Sequence, residues 1–217
     1  MTGKQQPDNK FDRIDHIVWI APDLTDGIKY ITETTGLEPV YGGRHLKFGT
    51  HNALLKIGPR CYFEILAPDP ANKTVMPPRW MGVDLIDQPR IARWALNSNE
   101  LESDVQKIGL RNSTLAHIDE GQRVTASGDV LSWQLSIPAP QPACESIPFL
   151  IDWQDSIHPA TQLDHEGHLI HFRITDPHPE RISHLLDELG CPVEVVAGPD
   201  TTLEVTLKTP LGIVSIT

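Results

Sequence analysis

The sequence contains few cysteines: three among 217 residues, at Cys61, Cys144 and Cys191, with no CxxC pair. Such a small, odd and scattered set excludes a disulfide-stapled scaffold and is typical of reduced thiols in a cytoplasmic protein. No apolar run approaches the ~20 residues that a transmembrane helix needs. The stretch that follows Met1 is polar, so we expect no secretory signal. These absences predict a cytoplasmic protein that does not enter a membrane.

Positive charge is also scarce, because 18 Lys and Arg residues are opposed by 29 Asp and Glu residues, for a net charge of −11. No cluster of basic residues offsets this balance, which argues against a nucleic-acid partner. The signatures GxGxxG after a strand, GxxxxGKS/T and GxSxG are missing as well. The stretch from His165 to His168 begins like the zinc motif HExxH, but Leu169 stands where the second histidine belongs.

The hydrophobic pattern repeats one order of elements three times: a strand, a helix and three further strands. In the first copy, the largely apolar run 14–20 predicts a buried strand. The apolar residues after it recur at helical spacing and predict a helix that ends at Gly36. In the second copy, the pattern places a strand at residues 124–128. The predicted organisation is a disordered tail (1–10), module one (11–67), a Pro-rich connector (68–89), module two (90–160) and a shorter third module (166–217).

A supersecondary unit that recurs within one chain usually cannot bury its apolar face alone. Two such βαβββ units side by side form a strongly curved sheet with helices on the outside. We therefore expect an α+β fold in which tandem βαβββ modules form a curved mixed β-sheet around a cleft, with the helices on its convex side. The third module is expected to have a structural role.

Five short stretches stand out by their order and spacing: Ile14–Trp19, Gly42–His45, Gly49–Leu54, Cys61–Leu66 and Pro148–Trp153. Together they resemble the glyoxalase-like branch of the vicinal oxygen chelate superfamily, which also contains bleomycin-resistance proteins and extradiol dioxygenases. The resemblance covers about residues 11–160. It implies paired βαβββ modules around a cleft in which superfamily members often hold a divalent metal, and it does not imply a single reaction.

The resemblance places metal ligands on the first and fourth strands of each module, at His16 and Glu64 in module one and at Asp152 in module two. A Zn²⁺, Mn²⁺ or Fe²⁺ ion bound there would act as a Lewis acid on a small oxygenated substrate. The surroundings of Glu64 agree, because a carboxylate between Phe63 and Ile65 in an apolar strand needs a cation or several donors. The alternative is that Glu64 faces water and that His16 is a core histidine.

Proton transfer is assigned to a carboxylate, either Glu64 or Asp152. On the first strand of module two, Arg93 lies where the metal pattern of the superfamily has a histidine. Its positive charge could replace that of a metal and hold an anionic substrate. A surface arginine, or one paired with Asp152, is the alternative. Trp94 and Trp153 lie on predicted strands and either form an apolar wall of the cleft or belong to the core.

A glycine-flanked loop offers further substrate contacts, since His45, Thr50, His51 and Asn52 can present donors to substrate oxygens. The alternative is a loop that bonds only to its own backbone. His158, which follows a loop and precedes a proline, is predicted at the mouth of the cleft, with an ordinary surface position as the alternative.

These residues predict a glyoxalase-like, metal-dependent enzyme of the lyase or isomerase type, acting on a small dicarbonyl or enolisable substrate. The first alternative is a metal-free protein of the bleomycin-resistance type that binds or sequesters a small molecule, because the ligand set of module two is incomplete. The second alternative is a structural or regulatory protein that has lost the site. A homodimer is compatible with all three.

Overall fold

A computed structural model describes residues 11–164, 167–191 and 193–217, and the predicted tail 1–10 lies outside them. The order strand, helix and three strands occurs three times in the described residues, as the hydrophobic pattern predicts. The elements are β1 (Ile14–Ile20), α1 (Leu24–Thr35), β2 (Val40–His45), β3 (Thr50–Gly58), β4 (Cys61–Pro68), β5 (Arg90–Asn97), α2 (Leu101–Gly109), β6 (Ile118–Val124), β7 (Val130–Ser136), β8 (Phe149–Asp152), β9 (His168–Asp176), α3 (Pro179–Glu188), β10 (Glu194–Ala197), β11 (Thr202–Thr209) and β12 (Gly212–Ile216).

Strand β1 joins the first two modules and is buried along its whole length. Strand β4 pairs with it in parallel on one side, and strand β5 pairs with it in antiparallel fashion on the other. A strand covered on both faces tolerates apolar side chains at every position, which explains why five of the seven residues of β1 are apolar. The few polar residues on β1 are therefore buried and require partners inside the protein.

Helix α1 is fixed at both ends by local chemistry. Asp23 accepts hydrogen bonds from the backbone N–H groups of Thr25 and Asp26, which have no partner within the helix. Gly36 ends the helix in the left-handed conformation, with φ of 72°. The helix buries Leu24 and Ile31 and packs on β3 and β4, on the convex side of the sheet.

Eight strands close into a barrel in the order β1-β4-β3-β2-β6-β7-β8-β5. The closure between β2 and β6 is narrow, since one registered pair, Arg44 with Val124, joins them. Gly43 permits this approach, because its φ of 144° favours glycine and a Cβ there would collide with the carbonyl oxygen of Val124. The predicted α+β fold with a curved mixed sheet is confirmed, and the predicted cleft is the interior of this barrel.

Strand β6 lies earlier in the chain than the hydrophobic pattern predicts, at residues 118–124 instead of 124–128. Its sequence, IDEGQRV, has apolar residues only at its ends and lacks the alternation typical of a half-buried strand. Two residues of its interior, Gly121 and Arg123, are nevertheless buried. The strand was misplaced because an arginine and a glycine occupy positions where apolar side chains are expected.

The third copy forms a separate four-stranded sheet, in the order β10-β9-β11-β12, against the barrel. Trp94 of β5 meets Phe172 of β9 edge to face, with ring centroids 5.1 Å apart. The backbone N–H of Gly167 donates to the carbonyl oxygen of Lys56 in β3. The third module therefore covers the outside of β3 and β5. In the described residues, none of the helices has the length and apolar character needed to span a bilayer.

The contact between Trp94 and Phe172 generates the first prediction. Phe172 is 1% exposed, so Phe172→Ala leaves a cavity between barrel and sheet and lowers the free energy of unfolding by about 3–5 kcal/mol. Ile170 lies on the same strand and is 40% exposed, so Ile170→Ala costs less than about 1 kcal/mol. Urea denaturation of both variants checks this, and equal losses would contradict the described packing.

Candidate functional site

The interior of the barrel contains a narrow cavity, with open space for roughly one water molecule between the side chains. Seven of the eight strands and the connector contribute to it. Ionisable groups are thus enclosed among aromatic rings, where electrostatic interactions are strong. The lining residues are His16, His45, Asn52, Tyr62, Glu64, Trp80, Arg123, Trp133, Phe149, Ile151 and Trp153.

Asp15 is a buried carboxylate that holds His16 and His158 in place. Burial opposes its ionisation, but hydrogen bonds from His158 and His16 outweigh that effect and keep the pKa of Asp15 well below its ordinary value. An ionised carboxylate only accepts hydrogen bonds, so Nδ1 of His16 donates to Oδ1 (2.7 Å) and Nε2 of His158 donates to Oδ2 (3.1 Å). The indole of Trp153 donates to Oδ2 as well, at 2.9 Å.

This network fixes the protonation of both imidazole rings. Nδ1 of His158 accepts the backbone N–H of Ala160, so the ring is neutral and carries its proton on Nε2. In His16 the proton on Nδ1 is committed to Asp15, which leaves Nε2 available on the cavity side. The ring of Tyr62 stacks on His16 with centroids 4.7 Å apart and holds the imidazole in this orientation.

Glu64 of β4 has one bound and one available oxygen. Its Oε1 accepts a hydrogen bond of 2.5 Å from Nδ2 of Asn52, on the neighbouring strand β3. Its Oε2 lies 3.7 Å from Nε2 of His16, which is too long for a hydrogen bond. The available atom of a carboxylate and the available atom of an imidazole therefore face each other across a gap.

Arg123 of β6 brings a positive charge into the same cavity. Its Nη1 donates to Oδ1 of Asn52 at 3.4 Å, so Asn52 connects the guanidinium with Glu64. Burial lowers the pKa of Arg123, and the nearby Tyr62 and Glu64 oppose that effect. A Cβ on Gly42 would approach Nη1 of Arg123 to 2.8 Å, so the glycine leaves room for this side chain.

His45 of β2 is a neutral member of the cavity wall. Burial lowers its pKa well below the ordinary value, and the charge of Arg123 lowers it further. Its Nδ1 forms a hydrogen bond of 3.0 Å with Oγ1 of Thr50. Its ring meets the indoles of Trp80 and Trp133 edge to face.

The structure brings several of the predicted site residues together. His16, Glu64, His45, Asn52 and Trp153 all line the cavity. Thr50 and His158 lie directly behind it, where they are buried and bonded to His45 and Asp15, respectively. The predicted exposure of His158 at the mouth of a cleft is corrected by this position.

Asp152 is not brought to His16 and Glu64, which corrects its predicted role as a third ligand and proton carrier. On β8 the residues that face the cavity are Phe149 and Ile151, so strand alternation directs Asp152 the other way. Its Oδ1 instead accepts the backbone N–H of Gln154.

The donor set does not fit a divalent metal held by the protein alone. Catalytic metal sites of this kind use three protein ligands, whereas His16 and Glu64 supply two. Within residues 11–164, 167–191 and 193–217, no three or more His, Cys, Asp and Glu side chains are grouped to hold a metal ion. The guanidinium of Arg123 also places a positive charge beside the two donors.

Arg93, Trp94 and His51 also lie apart from the cavity. Arg93 is buried, but it donates to the backbone carbonyl oxygens of Ala143 and Gln141 and so anchors the loop that precedes β8. Trp94 packs on the third module, as described above. His51 is half-buried outside the barrel wall, with its ring against Tyr41. Their predicted contacts with substrate are therefore corrected.

The sequence reasoning did not select Asp15, Tyr62, Trp80 or Arg123 for the site, nor the apolar lining residues Phe149 and Ile151. Asp15 and Tyr62 could have been found from the sequence, because each is a polar residue within an apolar strand. Each also lies within two residues of a predicted metal ligand, His16 or Glu64. Trp80 lies in a short 3₁₀ helix of the connector, and Arg123 lies on β6. No alternation identifies Arg123, since the interior of its strand contains no apolar side chain.

The buried carboxylate network generates the second prediction. Asp15→Asn replaces an anion that accepts four side-chain hydrogen bonds, from His16, His158, Trp153 and Asn97, by an amide with one acceptor oxygen. The free energy of unfolding at neutral pH therefore falls by about 1.5–3 kcal/mol. Asp152→Asn is the matched control, because the carboxylate of Asp152 lies on the outer side of β8 and is only partly buried. Equal stability of the two variants in urea would contradict the assigned role of Asp15.

Solved structures that are similar to this chain have low sequence identity to it. A hypothetical protein from Staphylococcus aureus is 17% identical, with a TM-score of 0.60, and 87% of each chain is covered. Streptomyces coelicolor methylmalonyl-CoA epimerase in complex with 2-nitronate-propionyl-CoA is 18% identical, covers 64% of this chain and 96% of its own, and has a TM-score of 0.43. Methylmalonyl-CoA epimerase from Mycobacterium tuberculosis is 14% identical, with 69% and 91% covered and a TM-score of 0.39.

The family itself is identified from the sequence. No curated protein matches the chain. The family model described as a glyoxalase-like domain matches residues 14–190, which is most of the chain and includes the strands that carry His16, Glu64 and Arg123. The chain therefore belongs to the glyoxalase-like domain family, and its predicted place in the vicinal oxygen chelate superfamily is confirmed.

Proposed function

We propose that the barrel cavity is the active site of an enzyme that moves a proton on a small carbonyl compound. One observation carries the proposal: Oε2 of Glu64 and Nε2 of His16 lie 3.7 Å apart in a buried cavity, while the other polar atom of each side chain is bound elsewhere. An acid–base pair needs this arrangement, since it requires orientation by neighbours and one available atom on each group.

The chemistry of the pair follows from its neighbours. Oε2 of Glu64 accepts a proton from the carbon next to a carbonyl group, and the electron pair of that C–H bond moves toward the carbonyl oxygen. His16 acts in its doubly protonated form, with Nδ1–H held by ionised Asp15, which stabilises the positive charge, and it gives the Nε2 proton to that oxygen and becomes neutral. Return of a proton to a different carbon completes an isomerisation, and loss of a leaving group instead completes a lyase reaction.

Asn52 and Tyr62 have positioning roles in this proposal. Asn52 holds Oε1 of Glu64, so that Oε2 remains directed toward His16. The stacked ring of Tyr62 restricts rotation of the His16 imidazole. Burial, Asp15 and Glu64 raise the pKa of Tyr62 well above its ordinary value, so its phenol stays protonated and adds no charge to the site.

A divalent metal is the alternative form of the same proposal. Nε2 of His16 and Oε2 of Glu64 are donors of the type that Zn²⁺, Mn²⁺ and Fe²⁺ accept, and a bound ion would supply Lewis-acid activation of a carbonyl oxygen. We place it second, because a third protein ligand is missing among the described residues and Arg123 already supplies positive charge.

The two non-enzymatic alternatives require less of the cavity than the enzyme does. A binding protein requires the cavity but not the paired free atoms of Glu64 and His16, and a structural protein requires neither. A buried acid–base pair without a function would cost stability, because desolvated ionisable groups are unfavourable unless fully paired. The cytoplasmic location and the homodimer stay predictions from the sequence.

Deuterium exchange tests the proposal directly. The protein is incubated in D₂O with small enolisable carbonyl compounds (pyruvate, 2-oxobutyrate, methylglyoxal and dihydroxyacetone), and ¹H NMR follows the loss of their C–H signals. We expect the wild-type protein to accelerate exchange in at least one of them. Glu64→Gln keeps the size of the side chain but removes the base, and it lowers the accelerated rate by at least about 100-fold.

Asp152→Asn is the control for this experiment, since it removes a carboxylate outside the cavity. It retains the wild-type exchange rate. Exchange that continues unchanged in Glu64→Gln would show that Glu64 is not the base. No acceleration of any compound by the wild-type protein would contradict proton transfer on an enolisable carbonyl and favour a binding protein.

Thermal stability with added metal separates the two forms of the proposal. A ligand that binds only the folded state raises its melting temperature. If the acid–base pair works without a metal, Mn²⁺, Zn²⁺ and Fe²⁺ change the melting temperature of the wild-type protein no more than that of His16→Ala. A rise that occurs in the wild-type protein and disappears in His16→Ala would instead support the metal-dependent form.

A further inference from the structure

Three buried N–H donors in the wall of the cavity have no hydrogen-bond partner among the described residues. They are Nε of Arg123, Nε1 of Trp80 and Nε1 of Trp133. Each belongs to a side chain that lines the cavity, and each of these residues is at most 7% exposed. Most buried polar groups in proteins are hydrogen-bonded, so three unpaired donors around one cavity need an explanation.

Arg123 also lacks an ionic partner in the part of the chain that the structure describes. None of the ion pairs found there includes it. Its contact with Asn52 is a long hydrogen bond to a neutral amide. A buried guanidinium that meets no carboxylate retains much of its desolvation cost. A negatively charged ligand would remove that cost.

The donors come from three separate segments of the chain. Arg123 lies on β6, Trp133 lies on the adjacent strand β7, and Trp80 lies in the connector between the first two modules. An indole N–H only donates, and a guanidinium presents several donors in one plane. Donors of this kind, without an acceptor among them, match the two oxygens of a carboxylate.

Glycines make room for these groups at the barrel wall. A Cβ on Gly121, which pairs with Trp133 across β6 and β7, would collide with Nε1 of Trp133. A Cβ on Gly42 would collide with Oδ1 of Asn52 and crowd Nη1 of Arg123. The positions of the arginine and of one tryptophan therefore depend on the absence of side chains at two neighbouring strand positions.

We propose that Arg123, Trp80 and Trp133 bind the carboxylate of a small 2-oxo acid or similar organic acid, an inference that rests on the proposed proton transfer at Glu64 and His16. Asn52 separates the two functions, since it accepts from Arg123 and donates to Glu64. The carboxylate of the substrate lies on the Arg123 side, and its reacting carbon lies toward Glu64. Because the open space holds roughly one water molecule, substrate binding requires side chains of the cavity wall to move aside, which favours acids with few atoms beyond the carboxylate.

Calorimetric titration with a matched pair of ligands tests this assignment. Pyruvate carries a carboxylate, and pyruvamide has the same shape with a neutral amide in its place. We expect the wild-type protein to bind pyruvate at least about tenfold more tightly than pyruvamide. Arg123→Gln abolishes the preference, whereas Arg93→Gln retains it, because Arg93 is a buried arginine outside the cavity.

The tryptophans provide a second set of variants, in case the loss of Arg123 prevents folding. Trp80→Phe and Trp133→Phe keep an aromatic ring and remove one N–H donor each. Each weakens pyruvate binding several-fold and leaves pyruvamide binding unchanged. Equal affinity of the wild-type protein for the two ligands, or no binding of pyruvate, overturns the inference.

The two proposals fail in different ways. Pyruvate that binds through Arg123, with no acceleration of exchange in any of the four compounds, would leave the carboxylate site in place and overturn proton transfer. Deuterium exchange in dihydroxyacetone that depends on Glu64, without any preference for pyruvate over pyruvamide, would leave proton transfer in place and overturn the carboxylate site.

Discussion

The site depends on one buried carboxylate, Asp15, which lies on the central strand β1 and forms no ion pair with a Lys or Arg among the residues that the structure describes. Its charge is stabilised by N–H donors from His16, His158 and Trp153. These donors belong to the strand β1 itself and to the segment after β8, so the ion ties the two modules of the barrel together. Because an ionised carboxylate can only accept, it also determines which nitrogen of His16 remains available to a substrate.

A second constraint is the balance of charge inside the barrel. Asp15 and Glu64 are both buried, and Arg123 is the buried cation that lines the same cavity. The sequence suggests that an arginine replaces the charge of a metal in this protein, and it suggests Arg93. In our proposal Arg123 has this role, because it lines the cavity, whereas Arg93 is engaged with backbone carbonyl oxygens outside it. Our proposal therefore keeps an arginine in the place of a metal, with Arg123 instead of Arg93.

Much of the fold could be predicted from the sequence, because capping residues mark the ends of helices and apolar runs mark buried strands. The resemblance to the glyoxalase-like branch indicated the pair His16 and Glu64, and the apolar neighbours of Glu64 agreed with it. The direction of the Asp152 side chain could not be predicted, because a four-residue strand covered on both faces shows no alternation of apolar and polar residues. Arg123 was hidden for a different reason: its strand is polar in sequence, and only the barrel closure makes its interior position evident.

Barrel closure and substrate recognition therefore depend on the same few residues. Strands β2 and β6 approach closely enough to close the barrel because Gly42 and Gly43 lack side chains, and that approach also places Arg123 beside Asn52. An open sheet would leave the guanidinium in water, where its attraction for an anion is screened. A closed barrel excludes water from the guanidinium and from Glu64. This exclusion makes the charges costly to bury, and it also strengthens the electrostatic interactions by which they orient and activate a substrate.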